Sequence, residues 1–214
     1  MSLKDEIKKY LIDDIELVKK IEKLMIKVDI ISDNKRDMLL AGFSRNVLSH
    51  FISINYLMEK KLYNSAFALE RIFFENIIKL KYMYYIMDDP KIVTIYDANS
   101  WDKHFPSIGD MATKIDEKLE TNFYSNVKQN AYKIMNDYTH TGANQIARNF
   151  GESDASIESN FSDELILDTL KGNKTLLKTA MIVFLEGIGL KNAFITTNFL
   201  SYNYEINLEE RAIS

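Results

Sequence analysis

Apolar residues recur every three or four positions along most of the chain, with charged residues between them. Such spacing places the apolar side chains on one stripe of a helix. It predicts long helices near residues 4–29, 34–60, 64–88, 122–138 and 174–200. We therefore expect an all-α fold, a single-domain helical bundle of about five long helices plus short ones. The domain covers residues 1–214, and the polar residues 202–214 are expected to form a frayed tail.

Polar residues mark the ends of several helices. Asn34 is a good N-cap for the second helix, and Pro90 is expected to end the third because proline disfavours helix in the residue before it. Residues 90–118 are less periodic and predict short helices and loops. Ser162 is expected to cap a helix that reaches Lys171, and Asn173 to cap a separate last helix.

Composition supports the helical prediction and narrows the function. The 214 residues include only 7 Gly and 2 Pro, which favours helices. The formal net charge of -4 gives no global basic field for nucleic acid or anionic membranes, although a local basic groove remains open. The absence of cysteine excludes disulfides, zinc–thiolate sites and cysteine nucleophiles, and it fits a reducing cytoplasm.

The sequence predicts no contact with a membrane. Its most apolar stretch, residues 176–200, is interrupted by Lys178, Glu186 and Lys191 and is therefore expected to be a buried helix. The first residues mix lysines with acidic residues, unlike a secretory signal. We expect the protein in the cytoplasm.

Three histidines limit any histidine chemistry to positions 50, 104 and 140. The segment from Arg45 through Asn46 to His50 resembles the arginine–polar–spacer–histidine motif of HEPN domains, helical bundles that include metal-independent ribonucleases. The resemblance implies that Arg45 stabilises charge on a phosphate and that His50 moves a proton from a ribose 2′-hydroxyl, with Asn46 orienting them. It also implies an RNA partner and a homodimer. On one regular helix, however, side chains five residues apart point about 140° apart.

A second set of residues lies in two distant segments. Residues 65–75 contain Arg71 and Glu75, which are one helical turn apart and can pair. Residues 136–142 follow later, and the polar candidates expected to meet that pair are Tyr138, His140, Thr141 and Arg148. Together the segments resemble bacterial all-helical proteins of unknown function, some of which are HEPN-like. Such a polar pocket would bind phosphate or simply fix the register of the helices.

Several chemistries have no motif in this chain. There is no Gly-rich phosphate loop, no Gly-x-Ser-x-Gly elbow and no His-Glu-x-x-His helix. No Glu stands three residues before a histidine, as di-metal helical bundles require. We therefore expect neither a cofactor nor a bound metal.

The sequence leaves open whether the protein is an enzyme. The leading hypothesis is a HEPN-like, RNA-directed protein of defence or toxin type, acting as a metal-independent endoribonuclease through Arg45 and His50 or through the pocket around His140. One alternative is a noncatalytic interaction module, either a homodimer or a partner-binding bundle. Another is a bundle that binds a small molecule in a pocket lined by Arg71, Glu75, Tyr138 and His140.

Overall fold

The computed structural model describes residues 1–26, 34–98, 101–140, 142–150 and 160–189. Nine α-helices and one 3₁₀ turn, Trp101–His104, make up the elements of this part of the chain. The fold is therefore all-α, as the spacing of apolar residues predicts. The helices are α1 (Leu3–Met25), α2 (Lys35–Glu59), α3 (Tyr63–Tyr85), α4 (Asp89–Asp97), α5 (Ile108–Leu119), α6 (Phe123–Asn130), α7 (Tyr132–Thr139), α8 (Ala143–Ala147) and α9 (Asp163–Gly187).

A helical hairpin of α2 and α3 forms the centre of the bundle. Lys61 reverses the chain between them with a left-handed φ of 58°, and the Leu62 N–H donates to the Leu57 carbonyl at 2.8 Å. Helix α9 packs on both helices, α1 packs on α9, and α5 and α7 pack on α3. Phe51 and Phe73 have no exposed surface, so both helices of the hairpin bury large aromatic side chains.

Helix α3 ends at Tyr85, shortly before the predicted stop at Asp88-Asp89-Pro90, and these three residues instead begin α4. The Asp88 carboxylate accepts a hydrogen bond from the Lys91 N–H at 3.1 Å, and Pro90 lies in the first turn. Proline is tolerated there because the first amides of a helix have no partner within it.

The prediction of two helices around residue 173 is wrong, because α9 continues from Asp163 to Gly187. Asn173 is not a cap. Its side-chain Nδ2 donates to the Glu70 carboxyl group of α3 at 2.7 Å, and Asn173 is buried. A tertiary hydrogen bond therefore outweighs the weak helix propensity of Gly172 and Asn173. The expected unbroken continuation to residue 200 is wrong, because α9 ends at Gly187 and Gly189 has a left-handed φ of 77°. Residues 190–214, including the tail 202–214, lie outside the described residues.

The helix predicted over residues 122–138 is divided in two. Ala131, with φ of −107°, joins α6 to α7. The bend turns α7 along α3, which places the end of α7 beside the middle of α3. No helix in the described ranges is long and apolar enough to cross a membrane.

Candidate functional site

One face of α3 carries Arg71 and Glu75 toward α7. Ala68 lies one turn earlier on this face, and its carbonyl accepts a hydrogen bond from the Thr139 hydroxyl of α7 at 3.3 Å. The same hydroxyl also donates to the Met135 carbonyl at 2.9 Å. Thr139 thus fixes the end of α7 against α3, directly before His140.

Arg71, Glu75, Tyr132 and His140 form a connected group of polar side chains, which we call the Arg71 cluster. The Arg71 Nε donates to Glu75 Oε1 at 2.7 Å, and the Arg71 Nη1 lies 2.8 Å from His140 Nε2. The Tyr132 hydroxyl donates to the same Glu75 oxygen. The guanidinium carbon of Arg71 also lies 5.5 Å from the centre of the Tyr132 ring.

The Arg71 cluster is partly open to solvent. The side chains of Arg71 and Glu75 are 26% and 20% exposed, Tyr132 is buried, and His140 is exposed. Burial, reinforced by the hydrogen bond to Glu75, raises the pKa of Tyr132. The phenol therefore keeps its proton at neutral pH and donates a hydrogen bond to the Glu75 carboxylate. Hydrogen bonding to Glu75 raises the pKa of Arg71, so the guanidinium stays charged.

The neighbours of His140 in sequence hold its position. Tyr138 does not join the Arg71 cluster; its buried ring stacks on Phe67 at 5.2 Å and packs near Phe161. Gly142 packs closely on the helix, because a Cβ atom there would lie 2.4 Å from the Asp137 Oδ1 and 3.0 Å from its Cα. Tyr138 and Gly142 therefore pack closely on either side of His140, whose imidazole is exposed.

The other residues expected in this pocket have different positions. Arg148 follows α8, where its Nη1 donates to the Asn160 carbonyl at 3.0 Å and its guanidinium lies 5.5 Å from the Phe161 ring centre. It therefore anchors the chain at residue 160. Thr141 lies outside the described residues. The sequence interpretation missed Tyr132, although Tyr132 and Thr139 are two turns apart on one helix face, a spacing that could have identified it.

The HEPN-like pair on α2 is not brought together by its helix. Residues 35–59 form one α-helix, so Arg45 and His50 point about 140° apart. Arg45 is exposed, and its Nη1 lies 3.6 Å from the Glu22 carboxylate of α1. His50 is half-buried, and burial lowers its pKa. His104 ends the 3₁₀ turn.

Two ionisable groups are buried in the core away from the Arg71 cluster. Burial raises the pKa of Glu70 to about 8, while the hydrogen bond from Asn173 opposes this shift. Burial also lowers the pKa of Lys81 to about 8, and the Lys81 amine donates to the Thr179 carbonyl at 3.3 Å. Both groups join α3 to α9, and neither was identified from sequence because a single charge on an apolar face gives no periodic signal.

A third buried charge joins α1 to α9. Asp14 is 1% exposed and lies 2.8 Å from the Lys174 amine. Burial raises the pKa of Asp14 to about 6, although the lysine partly offsets this effect. The pair stabilises the packing of α1 without forming part of the Arg71 cluster.

The structure places an open cleft of about 610 Å³ elsewhere, between the beginnings of α2 and α4. Arg36 lines this cleft and has a structural role, because it donates hydrogen bonds to the Asp89 carboxylate at 2.8 Å and to the Met87 carbonyl at 2.7 Å. Arg36 thus satisfies carbonyl groups at the end of α3. In the described ranges, no three Asp, Glu or His side chains gather closely enough to hold a metal ion.

Comparison with known proteins identifies a family for this chain. Residues 45–193 match the model of a family of unknown function, DUF6988. This range contains α2 from Arg45 onward, the whole Arg71 cluster and α9. No curated protein and no solved structure matches the chain.

Proposed function

The chain belongs to the DUF6988 family of unknown function, and we propose that it is a HEPN-like, RNA-directed protein that cleaves RNA without a metal ion at the Arg71 cluster. The observation that carries the proposal is the 2.8 Å contact between the Arg71 Nη1 and the His140 Nε2, with the imidazole exposed. An arginine can stabilise the charge on a phosphate, and an accessible histidine can take the proton of a ribose hydroxyl, which are two roles that metal-free cleavage of a phosphodiester uses.

The contact indicates which tautomer of the neutral His140 ring pairs with Arg71. Arginine can only donate hydrogen bonds, so the His140 Nε2 must accept and the proton of the neutral ring lies on Nδ1. The Nε2 lone pair is therefore the proton acceptor. When a phosphate oxygen takes the Arg71 Nη1, this lone pair becomes available to a 2′-hydroxyl group.

Glu75 and Tyr132 orient the arginine. Glu75 accepts from the Arg71 Nε and from the Tyr132 hydroxyl, which holds one edge of the guanidinium against the protein. The Nη1 group lies 2.8 Å from the His140 Nε2, and the Arg71 side chain is 26% exposed. A planar guanidinium held in this way presents two donors to phosphate oxygens.

These positions support one balanced reaction. His140 Nε2 takes the proton of the 2′-hydroxyl, and the 2′ oxygen forms a bond to phosphorus while the bond to the 5′ oxygen breaks. The 5′ oxygen leaves with a proton from water, which yields a 2′,3′-cyclic phosphate and a 5′-hydroxyl end. Arg71 stabilises the negative charge that develops on the phosphate oxygens.

Arg45 and His50 of α2 provide the control for the proposed site at Arg71 and His140. Because Arg45 and His50 diverge on one helix, the proposal assigns the chemistry to His140. The test is cleavage of total cellular RNA in a chelator by the wild type, His140→Ala and His50→Ala, with folding checked by circular dichroism. We expect His140→Ala to lose activity by about 10²-fold or more and His50→Ala to retain it. Loss in His50→Ala alone would move the site to α2.

A second candidate function is a noncatalytic interaction module, including a homodimer. It is favoured by the exposure of Ile52 and Tyr56, which lie one turn apart on α2 and are 37% and 57% exposed. Sedimentation of the wild type and of Ile52→Asp over a range of concentrations tests it. Association that the substitution abolishes is expected of such a module, whereas a monomer in both proteins would argue against the homodimer.

A further inference from the structure

Lys128 lies beside the Arg71 cluster without belonging to its hydrogen-bond network. Its amine is 4.4 Å from the centre of the Tyr132 ring, and the Arg71 guanidinium carbon is 5.5 Å from the centre of the same ring. One buried aromatic ring thus has two cations close to it. Tyr132 is only 9% exposed, so its ring supports these cations and is not open to stack on a base.

The two cations differ in how their charge is balanced. Glu75 lies 2.7 Å from Arg71 and balances its charge. Among the described residues, Lys128 forms no ion pair, whereas Lys19, Lys60, Lys171 and Lys174 each contact a carboxylate. Lys128 is half-buried, and an ammonium that lies over an aromatic face without a paired carboxylate retains its capacity to bind an anion.

We propose that Lys128 binds a second phosphate of the RNA strand, next to the phosphate held by Arg71, so that the site takes a polynucleotide in preference to a mononucleotide. This inference rests on the proposed function of the Arg71 cluster. One strand carries a phosphate at every nucleotide, so a strand that places one phosphate at Arg71 brings the next within reach of Lys128. The strand is single, because in-line attack by a 2′-hydroxyl needs a flexible backbone.

Binding is measured by fluorescence anisotropy with a labelled 2′-O-methyl RNA of about twelve nucleotides, which resists cleavage and is within the usual length of a single-stranded binding site. The proteins are the wild type, Lys128→Met, Lys128→Arg and Lys133→Met. Lys133 is an exposed lysine of α7 and controls for the loss of one charge. Uridine 3′-monophosphate, with one phosphate, is the second probe.

For Lys128→Met we expect weaker binding of RNA and a slope of log affinity against log salt that is smaller by about 0.7, the value for one phosphate contact on a single strand. Lys128→Arg and Lys133→Met should keep the wild-type slope, and the monophosphate should bind all four proteins equally. An unchanged slope in Lys128→Met, or equal weakening in Lys133→Met, overturns the role of Lys128. RNA binding by the wild type that Lys128→Met leaves unchanged overturns the role of Lys128 but not the proposed function, whereas no binding by the wild type overturns both.

Discussion

Replacing Glu70 by Gln is expected to stabilise the protein at neutral pH. Glu70 is 5% exposed, and its described hydrogen bond comes from the Asn173 amide at 2.7 Å, without a cation. An ionised carboxylate in this position would lack compensation, so the folded protein holds the protonated form. Glutamine has the shape of that neutral form and keeps an oxygen to accept from Asn173.

The magnitude follows from the pKa. Burial raises the pKa of Glu70 to about 8 from an ordinary value of 4.5. The folded state binds this proton more tightly than the unfolded chain, so the stabilisation is complete below pH 4.5 and is lost as the pH rises to 8. Each pH unit in this window costs about 1.4 kcal/mol, which amounts to about 3 kcal/mol at pH 7. Glutamine does not titrate and avoids this cost.

The assay is urea unfolding of the wild type and Glu70→Gln at several pH values from 5 to 8.5. We expect the two free energies of unfolding to be similar at pH 5 and to diverge by about 3 kcal/mol at pH 7, with the variant more stable. Glu117→Gln, at an exposed position of α5, controls for the loss of one charge. A variant less stable than the wild type at pH 7, or a difference independent of pH, would refute the reasoning.

Three further substitutions test two buried amines of the core and one close contact beside the site. Lys81→Met removes an amine whose pKa burial lowers to about 8, so the urea midpoint at pH 7 is expected to rise; a fall would mean that the charged form is well compensated. Gly142→Ala places a methyl group 2.4 Å from the Asp137 carboxylate. We expect the free energy of unfolding, measured by thermal denaturation, to fall by about 1–3 kcal/mol and RNA cleavage to slow. Unchanged stability and cleavage would contradict the close contact. Lys174→Met removes the amine that lies 2.8 Å from the buried Asp14 carboxylate. The free energy of unfolding should fall by a few kcal/mol at pH 7 and recover toward pH 5, because Asp14 then takes up a proton. An equal loss at both pH values would contradict this pairing.

The spacing of apolar residues predicts the fold well where a helix buries one continuous stripe. Helices α2 and α3 begin and end close to their predicted limits because caps and the turn at Lys61 reinforce the pattern. The prediction fails where a contact distant in sequence decides the local structure. Asparagine is a common helix cap, yet the hydrogen bond of Asn173 to Glu70, 103 residues away in sequence, keeps α9 continuous.

In the candidate site too, contacts between residues close in sequence are predicted and contacts between distant residues are not. The pairing of Arg71 with Glu75 follows from a four-residue spacing and is present at 2.7 Å. The approach of His140 to Arg71 bridges 69 residues, and it depends on the bend at Ala131, which the sequence pattern does not reveal. Tyr138 was expected beside them because it is polar and close in sequence, but helical geometry turns its ring toward Phe67 in the core.

Cleavage of one defined RNA and of its 2′-O-methyl counterpart, both in a chelator, tests the central claim most directly. The proteins are the wild type, His140→Ala and Arg71→Lys, and the ends of the products are analysed. We expect the wild type to cut only the unmodified RNA, leaving 2′,3′-cyclic phosphate ends, and both variants to be slower by about 10²-fold or more. Cleavage of the 2′-O-methyl strand, or equal rates for the wild type and His140→Ala, would contradict the assignment of RNA cleavage to the Arg71 cluster.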